Sequence, residues 1–176
     1  MDIRETSLSG CYVIELNRQV DERGFFARSF CGNEFVRAGL PREYPQHNIS
    51  HNKCRGTLRG MHFQKEPYEE AKVVRCVRGA IVDVAIDLRA SSSTRGQWIM
   101  TELTSDNGRA LYVPKGFAHG FQTLADETDV HYLMSIPYTP GHSNGVRWND
   151  PAFAIDWPVA NPILSARDST YPDWKP

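Results

Sequence analysis

An all-β fold, a sandwich or barrel of antiparallel strands with a few short helices, is what this sequence predicts. Short runs rich in Val, Ile, Phe and Tyr recur along the chain, each bounded by Gly, Pro, Asn or Ser. The 13 Gly and 11 Pro are scattered between these runs as punctuation and are not gathered into linkers. One segment, Ala80–Asp87, alternates cleanly: Val82, Val84 and Ile86 share one face, and Asp83 and Asp87 point to the other.

Taken in order, the predicted strands are Cys11–Leu16, Phe25–Phe30, Thr57–Gln64, Val73–Val77, Ala80–Asp87, Gln97–Leu103, Leu111–Val113, Phe117–Leu124 and Val130–Ile136. A helix is expected from an Asn33 N-cap through Ala38, ending at Gly39. The Pro-, Asp- and Ser-rich tail after Pro158 is expected to wrap the surface without adding core. In Ala80–Asp87 the valine face is read as core and the aspartate face as polar, with Asp83 and Asp87 pairing to Arg75, Arg78 or Arg89. No repeat divides the 176 residues, so residues 1–176 are read as a single domain.

Composition excludes several functions. With 20 Lys plus Arg against 21 Asp plus Glu and no basic run, the chain lacks the charge a nucleic-acid partner requires. The amino terminus is acidic and has no apolar stretch, and the longest apolar run falls far short of the roughly 20 residues of a spanning helix. No membrane association and a cytoplasmic location are therefore expected. Cys11, Cys31, Cys54 and Cys76 form no CxxC pair, so idle or buried thiols are expected, not a zinc clip or a disulfide framework. Dinucleotide-fold, P-loop, nucleophile-elbow and zincin motifs are absent, which leaves acid/base chemistry.

Polar side chains inside strand-like segments are the informative ones, because a packed interior holds charge only when it is paired or used. In Thr57–Gln64 a strict pleat puts His62 and Arg59 on opposite faces; if both serve one site, the strand must bulge, and Gly60 is the residue that permits it. Read singly, His62 is as readily a hydrogen-bonded structural histidine, Lys72 a strand-start lysine at a rim, and Tyr132 a core tyrosine with its hydroxyl at the periphery. More telling is Pro114–Gly116 followed by His119, a turn that aims a ring into the mouth of a small barrel. Metal-binding cupin barrels carry such a histidine together with an HxH pair. Here that pair reads His62-Phe63-Gln64, leaving two histidines with Gln64 or Glu70, a poor transition-metal set.

These segments, with Asp21–Phe26, Gln46–Ser50, Gly56–Gln64, Lys72, Asp83–Arg89, Pro114–Phe121, Tyr132, Tyr138, Trp148–Asp150, Asp156–Pro158 and Leu164–Asp168, together resemble the dTDP-4-dehydrorhamnose 3,5-epimerases over nearly the whole chain. The resemblance implies a cupin-type jelly roll, a nucleotide-diphospho-4-keto-6-deoxy sugar as substrate, no cofactor or metal, and a homodimer in which an amino-terminal segment reaches into the neighbour's site. It implies His62 as the base with Asp168 orienting it, and Tyr132 as the acid on the opposite face of the sugar. Lys72, Arg59 and His119 would hold the sugar's polar groups and the diphosphate, with Lys72 beside the enolate oxygen. Arg23 and Arg167 are further implied contacts; Gln46, His47, Asn48 and Tyr138 match nucleotide positions, Tyr138 by stacking on the base. Two positions depart from the family pattern: Ser143 stands where a ligand-contacting Glu is common, and Arg28 where Glu is frequent. Both lie on the nucleotide side, so CDP- or GDP-linked sugars, and a sugar-nucleotide-binding protein without turnover, stand as alternative readings.

Overall fold

The computed structural model describes residues 1–175. Its elements are β1 (Asp2–Glu5), β2 (Tyr12–Glu15), β3 (Gln19–Asp21), β4 (Gly24–Phe26), α1 (Gly32–Arg37), β5 (Gln46–Asn52), β6 (Leu58–Gln64), β7 (Lys72–Arg78), β8 (Ala80–Asp87), β9 (Trp98–Thr104), β10 (Ala110–Val113), β11 (Phe117–Thr123), β12 (Thr128–Met134) and β13 (Ser143–Gly145). Two antiparallel sheets, ordered β1-β2-β10-β7-β12-β5 and β13-β6-β11-β8-β9, pack as a jelly roll, and β3 and β4 form a separate ribbon. Non-consecutive neighbours throughout both sheets make this a crossed-over topology and not a meander.

Three layers of apolar side chains hold the sheets. Between them lie Val74, Leu111 and Val130 from the larger sheet and Ile81, Ala85, Leu103 and Phe121 from the smaller. The outer face of the larger sheet, with Ile14, Val73 and Leu133, is covered by Phe35 of α1 together with Leu40 and Tyr44. Phe30, Phe35 and Tyr44 meet edge to face there, with ring centroids 4.8 to 5.8 Å apart. On the outer face of the smaller sheet, Val84, Ile86 and Ala118 are covered by Val146, Phe153, Ile155, Trp157 and Trp174.

Several expectations change. β8 is buried on both faces: Asp83 and Asp87 point into the sandwich beside Ile81 and Ala85, and the valine face lies under the carboxy-terminal segment. That segment is core as well as wrapping, since Trp174 stacks on Phe153 at 5.2 Å and Asp168 is buried. Only Phe25 and Phe26 of the predicted Phe25–Phe30 strand are extended in β4; Phe30 instead packs under α1. The helix starts two residues early, with Cys31 in an extended conformation at the N-cap and no side-chain cap, so Asn33 lies inside it; Gly39, at φ +76°, ends it. All four cysteines are free; Cys11 and Cys76 are buried, and burial pushes their thiols up to about 12 and about 11. Among the described residues no helix is long and apolar enough to cross a membrane.

Candidate active site

Towards one end of the sandwich the inward-facing rows change from apolar to polar. On β7 the row of Cys76 and Val74 ends in Lys72, and on β12 the row starting at Val130 continues to Tyr132 and Met134. This change opens a cavity of about 610 Å³, walled by β5, β7 and β12 on one side and by β6, β11 and β13 on the other. His62, Lys72, Tyr132, Arg59, His119, Gln46, Asn48, Tyr138, Ser143 and Arg167 all line it.

Arg59 and His62 reach the same cavity because β6 bulges. His119 pairs with His62 and Phe121 with Arg59, so β6 carries one residue more than β11 across this interval. Gly60 sits at the irregularity with φ +152°, and a Cβ there would lie 2.6 Å from the Gly120 Cα, so only glycine fits. Met61 is thereby turned away into the outer core.

His62 Nε2 lies 2.6 Å from Asp168 Oδ1, across 106 residues of sequence. Burial pushes the His62 imidazole below its ordinary range; Asp168 pulls it back up, and Lys72 and His119 press it down. Burial also opposes ionisation of Asp168, but His62, the Ser165 hydroxyl and the Gly60 amide outweigh it and hold the carboxyl below the usual carboxylate range. This pair is therefore a neutral imidazole backed by a carboxylate. Tyr132 stands on the opposing sheet, and burial raises its phenol further above neutrality against the counter-effect of Arg59, so it is a protonated donor. Lys72 Nζ lies 2.9 Å from Glu70 Oε1 and 3.5 Å from the His62 carbonyl, with only 10% of its side chain exposed.

The mouth is polar. Gln46 Oε1 accepts the Tyr138 amide at 2.8 Å, and Asn48 Nδ2 lies against Met134 Sδ. Tyr138 is half exposed. Arg167 donates to Ser143 Oγ at 2.6 Å and lies over the Tyr171 ring, while Arg59 Nε donates to Asn52 Oδ1 at 2.8 Å.

Three expected contacts lie outside this cavity. His47 projects from the other face of β5, edge to face with His131 at 5.8 Å, because alternate residues of a strand point to opposite sides. Arg23 sits at the tip of the β3–β4 ribbon, paired with Asp21. Arg28 pairs with Glu34 beside the chain's amino terminus. Asp83 departs from expectation too: it meets His119 Nε2 at 2.8 Å and no arginine, whereas Asp87 does take Arg89, with Ser92 and Thr94. Glu70 and Met134 also line the cavity and Tyr171 lies 5.7 Å from the His62 ring; in the sequence Glu70 stands out only as a weak metal supplement, and nothing signals Met134 or Tyr171. Gln64 is spent on the Tyr68 carbonyl and the Thr139 amide, and among the described residues no group of three potential metal ligands occurs.

The family model described as dTDP-4-dehydrorhamnose 3,5-epimerase matches residues 5–176. An enzyme so named from Shigella flexneri is 42% identical over 169 residues, covering 96% of this chain and 93% of its own. The solved dTDP-4-dehydrorhamnose 3,5-epimerase of Bacillus anthracis, with TDP and PPi bound, is 42% identical with a TM-score of 0.96, over 98% of this chain and 99% of that one. An epimerase from Legionella pneumophila, solved in complex with dTDP-4-keto-L-rhamnose, is 35% identical with a TM-score of 0.91, over 98% and 92% of the two chains.

Proposed function

Given that the chain belongs to the dTDP-4-dehydrorhamnose 3,5-epimerase family, we propose that it inverts C3 and C5 of dTDP-4-dehydro-6-deoxyglucose, yielding dTDP-4-dehydro-L-rhamnose, by cofactor-independent proton transfer. The observation that carries this reading is the placement of a carboxylate-backed imidazole, His62, and a protonated phenol, Tyr132, on opposing sheets of one cavity. A sugar lying between the sheets has one face towards each.

The hydrogens on C3 and C5 are alpha to the C4 carbonyl. His62 takes one of them through its free nitrogen, Asp168 stabilises the imidazolium that forms, and the electron pair moves to O4 as an enolate. Lys72 supplies a fixed cation beside O4 in a site that excludes most water. Tyr132 then delivers its phenolic proton to the same carbon from the opposite face, the C4 carbonyl re-forms, and the configuration is inverted; solvent resets His62 and Tyr132 before the second carbon reacts. Arg59 and Arg167 are placed to hold the diphosphate, and Gln46, Asn48 and Tyr138 the nucleotide, with Ser143 beside Arg167.

A homodimer completes the reading. The β3–β4 ribbon leaves Val20, Phe25 and Phe26 more than half exposed, an apolar surface that a second copy would cover. Arg23, at its tip, and Arg28 would then reach a neighbour's cavity, which accounts for their distance from their own. Four free cysteines suit a reducing cytoplasm.

The test is incubation in D2O with the 4-keto-6-deoxyglucose substrate carried on dTDP and, separately, on CDP or GDP. Deuterium entry at C3 and C5 with inversion of both, fastest on dTDP, is expected. Entry at one carbon alone makes this a single-site epimerase; faster turnover on CDP or GDP overturns the thymidine assignment; tight binding without exchange overturns turnover altogether.

A further inference from the structure

A second histidine–aspartate pair faces the same cavity. His119, on β11, is the register neighbour of His62 on β6, and its side chain is 10% exposed, at the cavity wall. Behind it, Asp83 of β8 places Oδ1 2.8 Å from His119 Nε2. Asp83 is fully buried, its Oδ2 has no hydrogen-bond partner among the described residues, and its neighbours along the inward row of β8, Ile81 and Ala85, are apolar.

For stability alone this is a poor choice of residue. A buried carboxylate with an unmet oxygen is costly, and a buried ion pair replaced whole by well-packed apolar residues is commonly neutral or stabilising. Asp83 therefore has to be explained by what it does to His119. A carboxylate only accepts, so the Asp83 contact requires the proton on His119 Nε2; it fixes the ring plane and leaves Nδ1 as the one nitrogen free to meet a ligand.

We infer that Asp83 is a positioning residue for the reaction, holding His119 so that its Nδ1 hydrogen-bonds a hydroxyl of the sugar ring. The sugar is favoured over the nucleotide because His119 neighbours His62, whereas Gln46, Tyr138, Ser143 and Arg167 gather at the mouth. The assignment of a sugar hydroxyl rests on the function proposed above; the placement of the His119 proton does not, so each can fail alone.

Asp83→Leu separates the two roles. His119, 10% exposed at the cavity wall, can turn its freed N–H to cavity water, so the thermal midpoint should stay within a few degrees of that of the unmodified protein and affinity for dTDP alone should be unchanged, while kcat/KM for the sugar nucleotide falls about 10- to 100-fold, as on loss of a partner that orients a metal-bound imidazole. Unchanged kcat/KM, or parallel loss of dTDP binding and thermal stability, would overturn the inference. Should the leucine variant not fold, 15N NMR of ring-labelled histidines in the unmodified protein decides: a proton on His119 Nε2 is required, and a ring protonated at Nδ1 with a bare Nε2 refutes the assignment even if no substrate is turned over.

Discussion

Asp168→Asn is the substitution whose outcome the geometry fixes most tightly. One carboxylate oxygen takes the His62 Nε2 proton at 2.6 Å, and the Gly60 amide and the Ser165 hydroxyl also donate to this carboxylate. An asparagine at this site must turn its carbonyl oxygen to the backbone amide, because its NH2 cannot accept from an N–H. The NH2 then faces His62 Nε2, which has to become the acceptor, and the ring proton moves to Nδ1. The nitrogen left for the substrate is thereby protonated and cannot act as a base. General-base catalysis is worth about 10²- to 10⁴-fold, so kcat should fall by about three orders of magnitude, close to 4 kcal/mol in the barrier. The fold should persist, since shape and two of the three hydrogen bonds are kept. The pH profile adds a sign: Asp168 is the group that raises the His62 pKa against burial, Lys72 and His119, so its neutralisation moves the acid limb of residual kcat/KM to lower pH. Deuterium wash-in at C3 and C5, followed by NMR from pH 5 to 9, reads both effects. A kcat within threefold of the unmodified protein, or an acid limb displaced upward, would refute the orienting role of Asp168.

Tyr132→Phe removes the donor but not the base, so deuterium should still enter the substrate with retention while inversion falls at least 10²-fold; full inversion would place the acid elsewhere. Lys72→Met leaves Glu70, 4% exposed at its side chain, without its cation, and should lower stability by about 3 kcal/mol in urea titrations as well as abolishing turnover; an unchanged midpoint would show that the pair is not coupled. Burial pushes the Asp87 carboxyl up, but Arg89, Ser92 and Thr94 outweigh it and hold it at about 2 against 3.8 unfolded. A depressed carboxyl stabilises the fold above its unfolded pKa and ceases to do so as pH falls through its folded one. Asp87→Asn should therefore lose about 2 kcal/mol at pH 7, and the deficit should shrink between pH 4 and pH 2; a deficit independent of pH would show that charge is not its source.

Which parts of this architecture the sequence discloses follows from how burial couples to hydropathy. Strands such as β6, β8 and β11 are apolar because at least one face packs into a core. β5, Gln46-His47-Asn48-Ile49-Ser50-His51-Asn52, carries no such signal because neither of its faces does: Gln46, Asn48 and Ser50 face the cavity, while His47, Ile49 and His51 are exposed at the sheet edge, where Ile49 and His51 still border the cavity. Its period of two survives in exposure and vanishes in hydropathy. The short β1, β3 and β13 have almost no apolar row to betray them. Periodicity marks the aspartate face of β8 as polar but does not say where that face points, and in the fold it points into the sandwich.

The same coupling explains which site residues the residues alone could disclose. His62, Lys72, His119 and Tyr132 interrupt apolar strand runs, where an ionisable or phenolic group survives only if it is paired or used, and all four line the cavity. Asp83 breaks the same rule just as plainly, but the sequence points to a nearby arginine as its partner, and His119 is adjacent only after β8 and β11 pair. Asp168, Arg167 and Ser143 break no rule: they sit in polar segments where charge is ordinary, and only the resemblance pointed to them. What makes Asp168 informative is a long-range fact, the return of the carboxy-terminal segment, in which the Leu58 amide donates a hydrogen bond to the Ile163 carbonyl and the Trp174 amide donates one to the Asp150 carboxylate. That return brings a buried carboxylate to the back of His62. The two aspartates thus reach their histidines by different routes, one along a sheet and one along a strap. It follows that weakening the strap should disturb His62 while leaving His119 in place, so the two imidazoles can be perturbed separately in one cavity.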